Sequence, residues 1–195
     1  SIGLVGSEMC IRDRLSTMLI VLSSLAAIDR ASSVEPAAPV SSIINFREYT
    51  PTFASSGQLA AHHLEPLRQQ GFERIVYIAY RTQGGTSETL SIDRQATDLG
   101  LSYVHIPVPW QSPTLRDYQT FAAIMRSQPT MKTLLHCQMN YRASAFSFLY
   151  RVLELDTPMP TAAADLYQIW SPNSTWMTFI NSVLAINNRP ILDTL

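Results

Sequence analysis

The stretch LLHCQMNYRASAF, residues 134 to 146, joins an apolar run to a segment of helical character. It places one thiol, Cys137, and one guanidinium, Arg142, on either side of a short loop. KTLLHC is predicted to be a strand, and helices are predicted at 142–155, at 161–169 and at 172–185, the last of them capped by Ser171. A turn between a strand and a helix N-terminus gathers backbone N–H groups in one concavity, and the helix dipole adds positive potential. The stretch therefore predicts an anion site that suits phosphate.

The residue types in this loop also indicate a chemistry. Arg142, in the first helical turn, can hold two phosphate oxygens with its planar fork. The same positive potential favours the thiolate of Cys137, and a thiolate beneath a bound phosphate is placed for in-line attack. Cys137 and Arg142 are thus the candidate catalytic residues, and the predicted phosphate-binding residues are Gln138, Met139, Asn140, Tyr141 and Arg142.

Strands and helices are predicted to alternate before this loop, with short connections between them. The segments are a short strand with a turn at 43–58, a helix at 58–70, a strand at 74–80, a helix at 90–98, a strand at 101–110, a helix capped by Ser112, and KTLLHC. Such alternation predicts an α/β fold with a mainly parallel sheet covered by helices. Functional sites lie at the carboxyl edge of such a sheet, where Cys137 is expected.

Composition excludes several other classes of protein. The chain has 195 residues and a net charge of −1, so one domain is expected and nothing indicates a nucleic-acid partner. No apolar run predicts a stable membrane span, and no His, Cys or carboxylate spacing matches a metal site. The chain has 2 cysteines, Cys10 and Cys137.

The first 42 residues are expected to lie outside the folded domain. Residues 1–17 include MCIRDR, which resembles a translated sequencing adapter, and are interpreted as an artefact or a disordered tail. Residues 18–42 are predicted to be a signal peptide and linker; a buried N-terminal helix is the alternative for the apolar run at 18–27. A signal peptide predicts a periplasmic or secreted protein, and its absence a cytoplasmic one. The predicted domain covers residues 43–188, followed by a tail at 189–195.

The loop resembles the signature of the protein tyrosine and dual-specificity phosphatases, which has His-Cys, five residues, and Arg. Here His136 and Cys137 are separated from Arg142 by only four residues, QMNY. That shortened form is similar to a bacterial branch, the beta-lactamase-hydrolase-like (DUF442) phosphatases. The segments SSGQL, GLSYVHIPV and IWSPNSTWMTFI support the resemblance.

The resemblance implies a three-layer phosphatase-like fold and hydrolysis of phosphoric monoesters through a phosphocysteine intermediate. It implies a phosphorylated small molecule or phosphoprotein as substrate; we expect no cofactor and a monomer. His136 is expected to support the loop from a buried position, and Gln58 is a candidate for positioning water.

The chain departs from the family pattern at three places. Asn140 stands where the family has glycine, but asparagine tolerates left-handed backbone. Ala143 replaces the hydroxyl residue after the arginine that would stabilise the thiolate, and Ser144, one position later, is a candidate supporting residue. The loop at 107–114, where relatives carry an acidic residue to protonate the leaving group, has Gln111 and no carboxylate. Asp117 is the nearest candidate acid, although a role at the helix N-terminus explains it as well.

Three alternatives remain open at this point. The missing acid favours a phosphate-binding pseudophosphatase with weak or no turnover. A rhodanese-like sulfurtransferase also uses a cysteine in an anion loop. The third alternative is a structural domain in which Cys137 is an inert buried residue.

Overall fold

The computed structural model describes residues 39–80 and 92–193. The described residues belong to one compact unit. The predicted artefact at 1–17 and residues 18–38 of the predicted signal peptide and linker lie outside the described residues.

A mainly parallel sheet forms the centre of the described part. Its order is β1-β2-β5-β3-β4. β2, β5, β3 and β4 run parallel to one another, and β1 pairs with β2 in the antiparallel direction. The strands are β1 Arg47–Thr50, β2 Phe53–Ser56, β3 Arg74–Tyr77, β4 Ser102–His105 and β5 Thr133–His136. The predicted α/β class with a mainly parallel sheet is therefore confirmed.

Helices cover both faces of this sheet. They are α1 Leu64–Gln69, α2 Ile92–Asp98, α3 Leu115–Ser127, α4 Tyr141–Leu153, α5 Met159–Ile169 and α6 Ser174–Ile186, with short 3₁₀ turns at Val40–Ser42 and Ala61–His63. Side chains alternate along a strand, so Leu135 joins the apolar cluster that holds α3 to α6, while Leu134 joins the cluster that holds α1 and α2. The three-layer arrangement follows from these two apolar faces.

The predicted single strand at 43–58 is wrong, because this segment forms the β1–β2 hairpin. β2 then lies directly beside β5, in register from Phe53 opposite Thr133 to Ser56 opposite His136. All four residues of β2 are buried. This pairing brings the segment after β2 to the same sheet edge as Cys137.

Three helix starts also differ from the prediction. The helix predicted from residue 58 begins at Leu64, after a 3₁₀ turn. Ser112 does not cap α3, since Thr114 is the N-cap and the helix begins at Leu115. α6 begins at Ser174 behind the N-cap Asn173, not behind Ser171. In each of the last two cases a hydroxyl or amide nearer the first unpaired N–H groups accepts their hydrogen bonds.

The packed region extends past the predicted bounds of 43 and 188. Val40 is buried in the core near the sheet. Leu192 is also buried, and its backbone exchanges two hydrogen bonds with the Asn181 amide, at 2.7 and 3.1 Å. Within residues 39–80 and 92–193, no helix has the length and apolarity needed to cross a membrane.

Candidate active site

Cys137 is the first residue after β5, at the carboxyl edge of the sheet. β5 is flanked by β2 and β3, and both neighbours help to hold its end. The N–H of Cys137 donates to the carbonyl of Ser56 at 3.2 Å, and the N–H of Ile78 donates to the carbonyl of His136 at 3.0 Å. Two parallel neighbours thus fix the point at which the chain leaves the sheet and enters the loop.

The loop itself turns at Asn140, the N-cap of α4. Asn140 has a φ of 67°, in the left-handed region that asparagine tolerates better than most non-glycine residues. The helix begins immediately afterwards at Tyr141, so Arg142 lies in its first turn. The α4 dipole and the free N–H groups of that turn therefore face the same small volume as the Cys137 thiol.

A second segment, residues 44–58, braces this loop from outside. The Gln58 N–H donates to the carbonyl of Gln138 at 2.9 Å, and Gly57 forms an isolated bridge with Met139. A side chain at Gly57 would meet the carbonyl oxygen of Gln138 at 2.9 Å and Ile44 at 2.8 Å. The close approach of these two segments thus requires a glycine at this position.

Arg142 is buried without a countercharge. Only 8% of its surface is exposed, and its Nε has no hydrogen-bond partner. No carboxylate among the described residues forms an ion pair with it; instead its Cζ lies 5.2 Å from the centre of the Trp110 ring. A buried cation that no carboxylate balances is costly, so its surroundings favour an incoming anion.

Cys137 and Arg142 line a common cavity of about 330 Å³. The thiol is at the floor, since Cys137 is only 1% exposed. Tyr141 stacks on Trp170 with ring centres 4.9 Å apart and forms part of an aromatic wall. The residues that line the cavity are Trp110, Cys137, Gln138, Met139, Tyr141 and Arg142.

His136 lies beneath this loop as a neutral ring. Burial lowers its pKa to about 3, and the backbone at Cys137 opposes this shift without reversing it. The ring packs against Tyr77, with ring centres 4.8 Å apart. Neither ring nitrogen makes a hydrogen bond of normal geometry within the described part of the chain. The positive potential at the cavity therefore comes from Arg142 and the α4 N-terminus rather than from His136.

Ser144 does not reach the thiol. Its hydroxyl donates to the Tyr141 carbonyl at 3.0 Å and accepts from the Trp170 indole at 3.1 Å. Its predicted supporting role is thus of another kind, because it holds the first turn of α4 and the aromatic wall together.

The residues considered for proton transfer or for positioning water do not line the cavity. Gln111 is exposed, and it does not line the cavity. Asp117 accepts hydrogen bonds from the Thr114 N–H at 2.8 Å and hydroxyl at 2.7 Å, in the capping box of α3. Gln58 contributes its backbone N–H to the loop, while its side chain is exposed. None of the described residues that line the cavity carries a carboxylate.

Sequence reasoning missed two residues of this region. Asn45, before β1, donates its side-chain amide to the Met139 carbonyl at 3.0 Å. Trp170, at the end of α5, forms the outer part of the aromatic wall. No local pattern could identify Asn45, because its partner lies 94 residues away. The segment containing Trp170 was noted for its resemblance to relatives, but not for a place at the site.

Comparison with solved structures agrees with this architecture, although no family model and no curated protein matches the chain. A candidate phosphatase of the DUF442 group from Shewanella putrefaciens is 26% identical, with a TM-score of 0.67 over 76% of this chain and 96% of the other. TpbA of P. aeruginosa is 14% identical, with a TM-score of 0.60 over 79% and 96% of the two chains. The core catalytic domain of a PP-IP phosphatase from S. cerevisiae is 12% identical, with a TM-score of 0.59 over 81% and 98%.

The fold is therefore that of the phosphatases related to the protein tyrosine phosphatases. The Shewanella structure matches the branch that the sequence resembles, the DUF442 phosphatases. The likeness to TpbA and to the yeast enzyme concerns the fold alone.

Proposed function

We propose that the chain is a phosphoric monoester hydrolase that works through a phosphocysteine intermediate. The observation that carries this proposal is the cavity shared by Cys137 and Arg142. A buried guanidinium without a carboxylate partner among the described residues lies beside the only described thiol, at a helix N-terminus. The structural neighbours are phosphatases, which supports the same class of enzyme.

Binding of the phosphate group is the first step. The Arg142 fork would hold two oxygens, and backbone N–H groups of residues 138–142 would hold the others. The neutral His136 adds no charge, so the anion is balanced by one guanidinium and the α4 dipole. Trp110 keeps the guanidinium in place by covering one of its faces.

Transfer to sulfur is the second step. The thiolate of Cys137 attacks phosphorus, an S–P bond forms, and the bond between phosphorus and the ester oxygen breaks. The electron pair leaves with that oxygen, as an alkoxide or phenoxide unless a proton reaches it. Water then attacks the phosphocysteine, the S–P bond breaks, and inorganic phosphate and the thiolate are regenerated.

A pseudophosphatase is the second candidate, and a specific observation favours it. No described residue of the cavity can donate a proton as a carboxylic acid, and the Asp117 carboxylate is engaged by Thr114. General acids typically contribute about a hundred- to ten-thousand-fold to such reactions. If no other group donates a proton to the leaving oxygen, the chain binds phosphate without efficient turnover.

One experiment separates these candidates. The purified chain is mixed with an aryl phosphate, and phosphate release is followed for the native protein, Cys137→Ser and the matched control Cys10→Ser. The hydrolase proposal predicts turnover in the native protein and in Cys10→Ser, and none in Cys137→Ser. Absence of turnover together with tight vanadate binding would instead establish the pseudophosphatase.

Export is proposed from the sequence of residues 18–33, which has the apolar centre and small flanking residues of a signal peptide. A chain that begins at Met18 should then be shortened when it is expressed in a bacterium. Mass spectrometry of the periplasmic fraction measures this. An intact N-terminus in the cytosolic fraction would contradict export.

A further inference from the structure

The side chains of Asn45 and Asn140 form two hydrogen bonds between the segment before β1 and the loop after β5. The Asn45 side chain donates to the Met139 carbonyl at 3.0 Å, and the Asn140 side chain donates to the Asn45 carbonyl at 2.7 Å. Both residues have left-handed backbone, with φ values of 49° and 67°. Two side-chain amides thus connect the segment before β1 to the turn before α4, and we call this pair of hydrogen bonds the asparagine clasp.

From this clasp we infer that Asn45 is a positioning residue for the phosphate site; the inference rests on the function proposed above. The argument depends on the geometry of a trans peptide, in which the C=O and the N–H point in opposite directions. An anion in the loop needs the N–H groups directed inward, so the carbonyls of the same peptides must be directed outward.

Two outward carbonyls of the loop are held by the bracing segment. The Gln138 carbonyl accepts from the Gln58 N–H at 2.9 Å, which directs the N–H of Met139 away from the brace. The Met139 carbonyl accepts from the Asn45 amide at 3.0 Å, which holds the 139–140 peptide against the same segment. Because Gln138 and Met139 line the cavity, these two bonds fix the position of the loop at the edge of the anion site.

The two hydrogen bonds differ in how they depend on sequence. The bond to Gln138 comes from the backbone and survives any substitution at Gln58 except proline. The bond to Met139 comes from the Asn45 amide, so one exposed side chain, together with the Gly57–Met139 bridge, orients the 139–140 peptide. Loss of that donor loosens this peptide, while Cys137 and Arg142 remain in place.

Glycine at position 45 gives a clean test. Asn45→Gly removes the side-chain donor, keeps the left-handed backbone accessible, and leaves the Asn45 carbonyl available to Asn140. Asn188→Gly is the matched control, because Asn188 is also exposed and left-handed, with a φ of 54°, at the far end of α6. The two variants change the backbone entropy of the unfolded chain by the same amount.

The measurement is the affinity of each protein for orthovanadate, from its protection of Cys137 against alkylation, together with Tm. Asn45→Gly should bind vanadate about tenfold more weakly than the native chain, while its Tm stays close to that of Asn188→Gly. Iodoacetate should also lose part of its rate advantage over neutral iodoacetamide in this variant, which a merely structural role would not cause.

Equal vanadate affinity in the Asn45→Gly and Asn188→Gly proteins would overturn the positioning role and leave the proposed hydrolase intact. No vanadate binding by the native chain would overturn the phosphate site itself. If Asn45→Gly does not fold, Asn45→Asp serves in its place, since aspartate tolerates the same backbone but its carboxylate cannot donate to Met139. Native-like vanadate affinity in Asn45→Asp would then overturn the inference.

Discussion

The guanidinium of Arg142 lies over the indole of Trp110, with 5.2 Å between Cζ and the ring centre. Trp110 is itself fixed, because its carbonyl accepts a hydrogen bond from the Trp176 indole at 3.1 Å. Because the planar guanidinium packs against the planar ring, the N–H donors along its edge point in a defined direction. The pair thus links the loop after β4 to the proposed phosphate site.

Arg142→Lys should lose most of the turnover and most of the affinity for oxyanions while the protein still folds. Lysine keeps the charge but has neither the planar fork nor the face that packs on Trp110. Loss of the charge-assisted second hydrogen bond corresponds to about 1.5–3 kcal/mol. Steady-state kinetics and vanadate inhibition measure the loss, and circular dichroism checks the fold. Near-native kinetics in this variant would place the phosphate site elsewhere.

Gly57→Ala should destabilise the protein and weaken the phosphate site together. The added methyl would meet Ile44 at 2.8 Å and the Gln138 carbonyl at 2.9 Å, so the brace must move away from the loop. Forcing extra carbon into a packed site typically costs about 1–3 kcal/mol.

Gly71→Ala is the matched control for that substitution. Gly71 has a φ of +82° but no atom within 4 Å of the added methyl, so this variant introduces backbone strain without the contact. Urea unfolding compares the stabilities, and vanadate affinity should fall only in Gly57→Ala. Equal vanadate affinity in the two variants would show that the brace does not act on the loop.

Asp117→Asn should change turnover little. The Asp117 carboxylate accepts two hydrogen bonds from Thr114, so its expected contribution is to the start of α3. Thr114→Ala removes the same capping box and should cost a comparable stability, about 1 kcal/mol, again without loss of turnover.

Turnover should depend steeply on the leaving group, since no described carboxylate of the cavity can protonate it. Phenols, with a pKa of about 10, leave moderately well as anions, whereas alkyl alcohols need a proton. A series of substituted phenyl phosphates measures this slope. A flat dependence combined with a large loss in Asp117→Asn would identify Asp117 as the acid.

The stability of the protein should fall as the pH is lowered from about 6.5 towards 3. Burial lowers the pKa of His136 from 6.5 to about 3 in the folded state. The unfolded chain therefore binds this proton first, and the stabilisation present above pH 6.5 is lost as the pH falls. His136 alone contributes a slope of up to about 1.4 kcal/mol per pH unit in this window.

Nuclear magnetic resonance of the imidazole nitrogens tests this directly. The His136 ring should stay neutral at pH 5, where an ordinary histidine is protonated. A ring that titrates near the ordinary value would show that water reaches it.

Some of this structure could be predicted because its signals are local. The apolar runs at β3, β4 and β5 identify strands, and the residues around Cys137 and Arg142 identify a strand–loop–helix turn. The hairpin could not be found in the same way. Phe53–Ser56 is a short, partly polar segment, and it is buried as a strand because β1 and β5 lie on either side.

The contacts between residues 44–58 and the loop after β5 could not be predicted for a related reason. The contacts of Asn45 and Gly57 with the loop join residues more than 80 positions apart in the chain. Ser112 was a reasonable cap by local rules, but Thr114 has the carboxylate of Asp117 three residues later and completes the capping box. Side-chain partners thus decided between two plausible helix starts.

Trapping of the covalent intermediate tests the central claim most directly. The protein is mixed with an aryl phosphate, quenched after milliseconds, digested under conditions that preserve thiophosphate esters, and analysed by mass spectrometry. The account predicts one phosphoryl group on the peptide that contains Cys137, absent in Cys137→Ser and present in Cys10→Ser. Release of phosphate by the native protein at full rate with no phosphoryl group on Cys137, or undiminished release by Cys137→Ser, would contradict it.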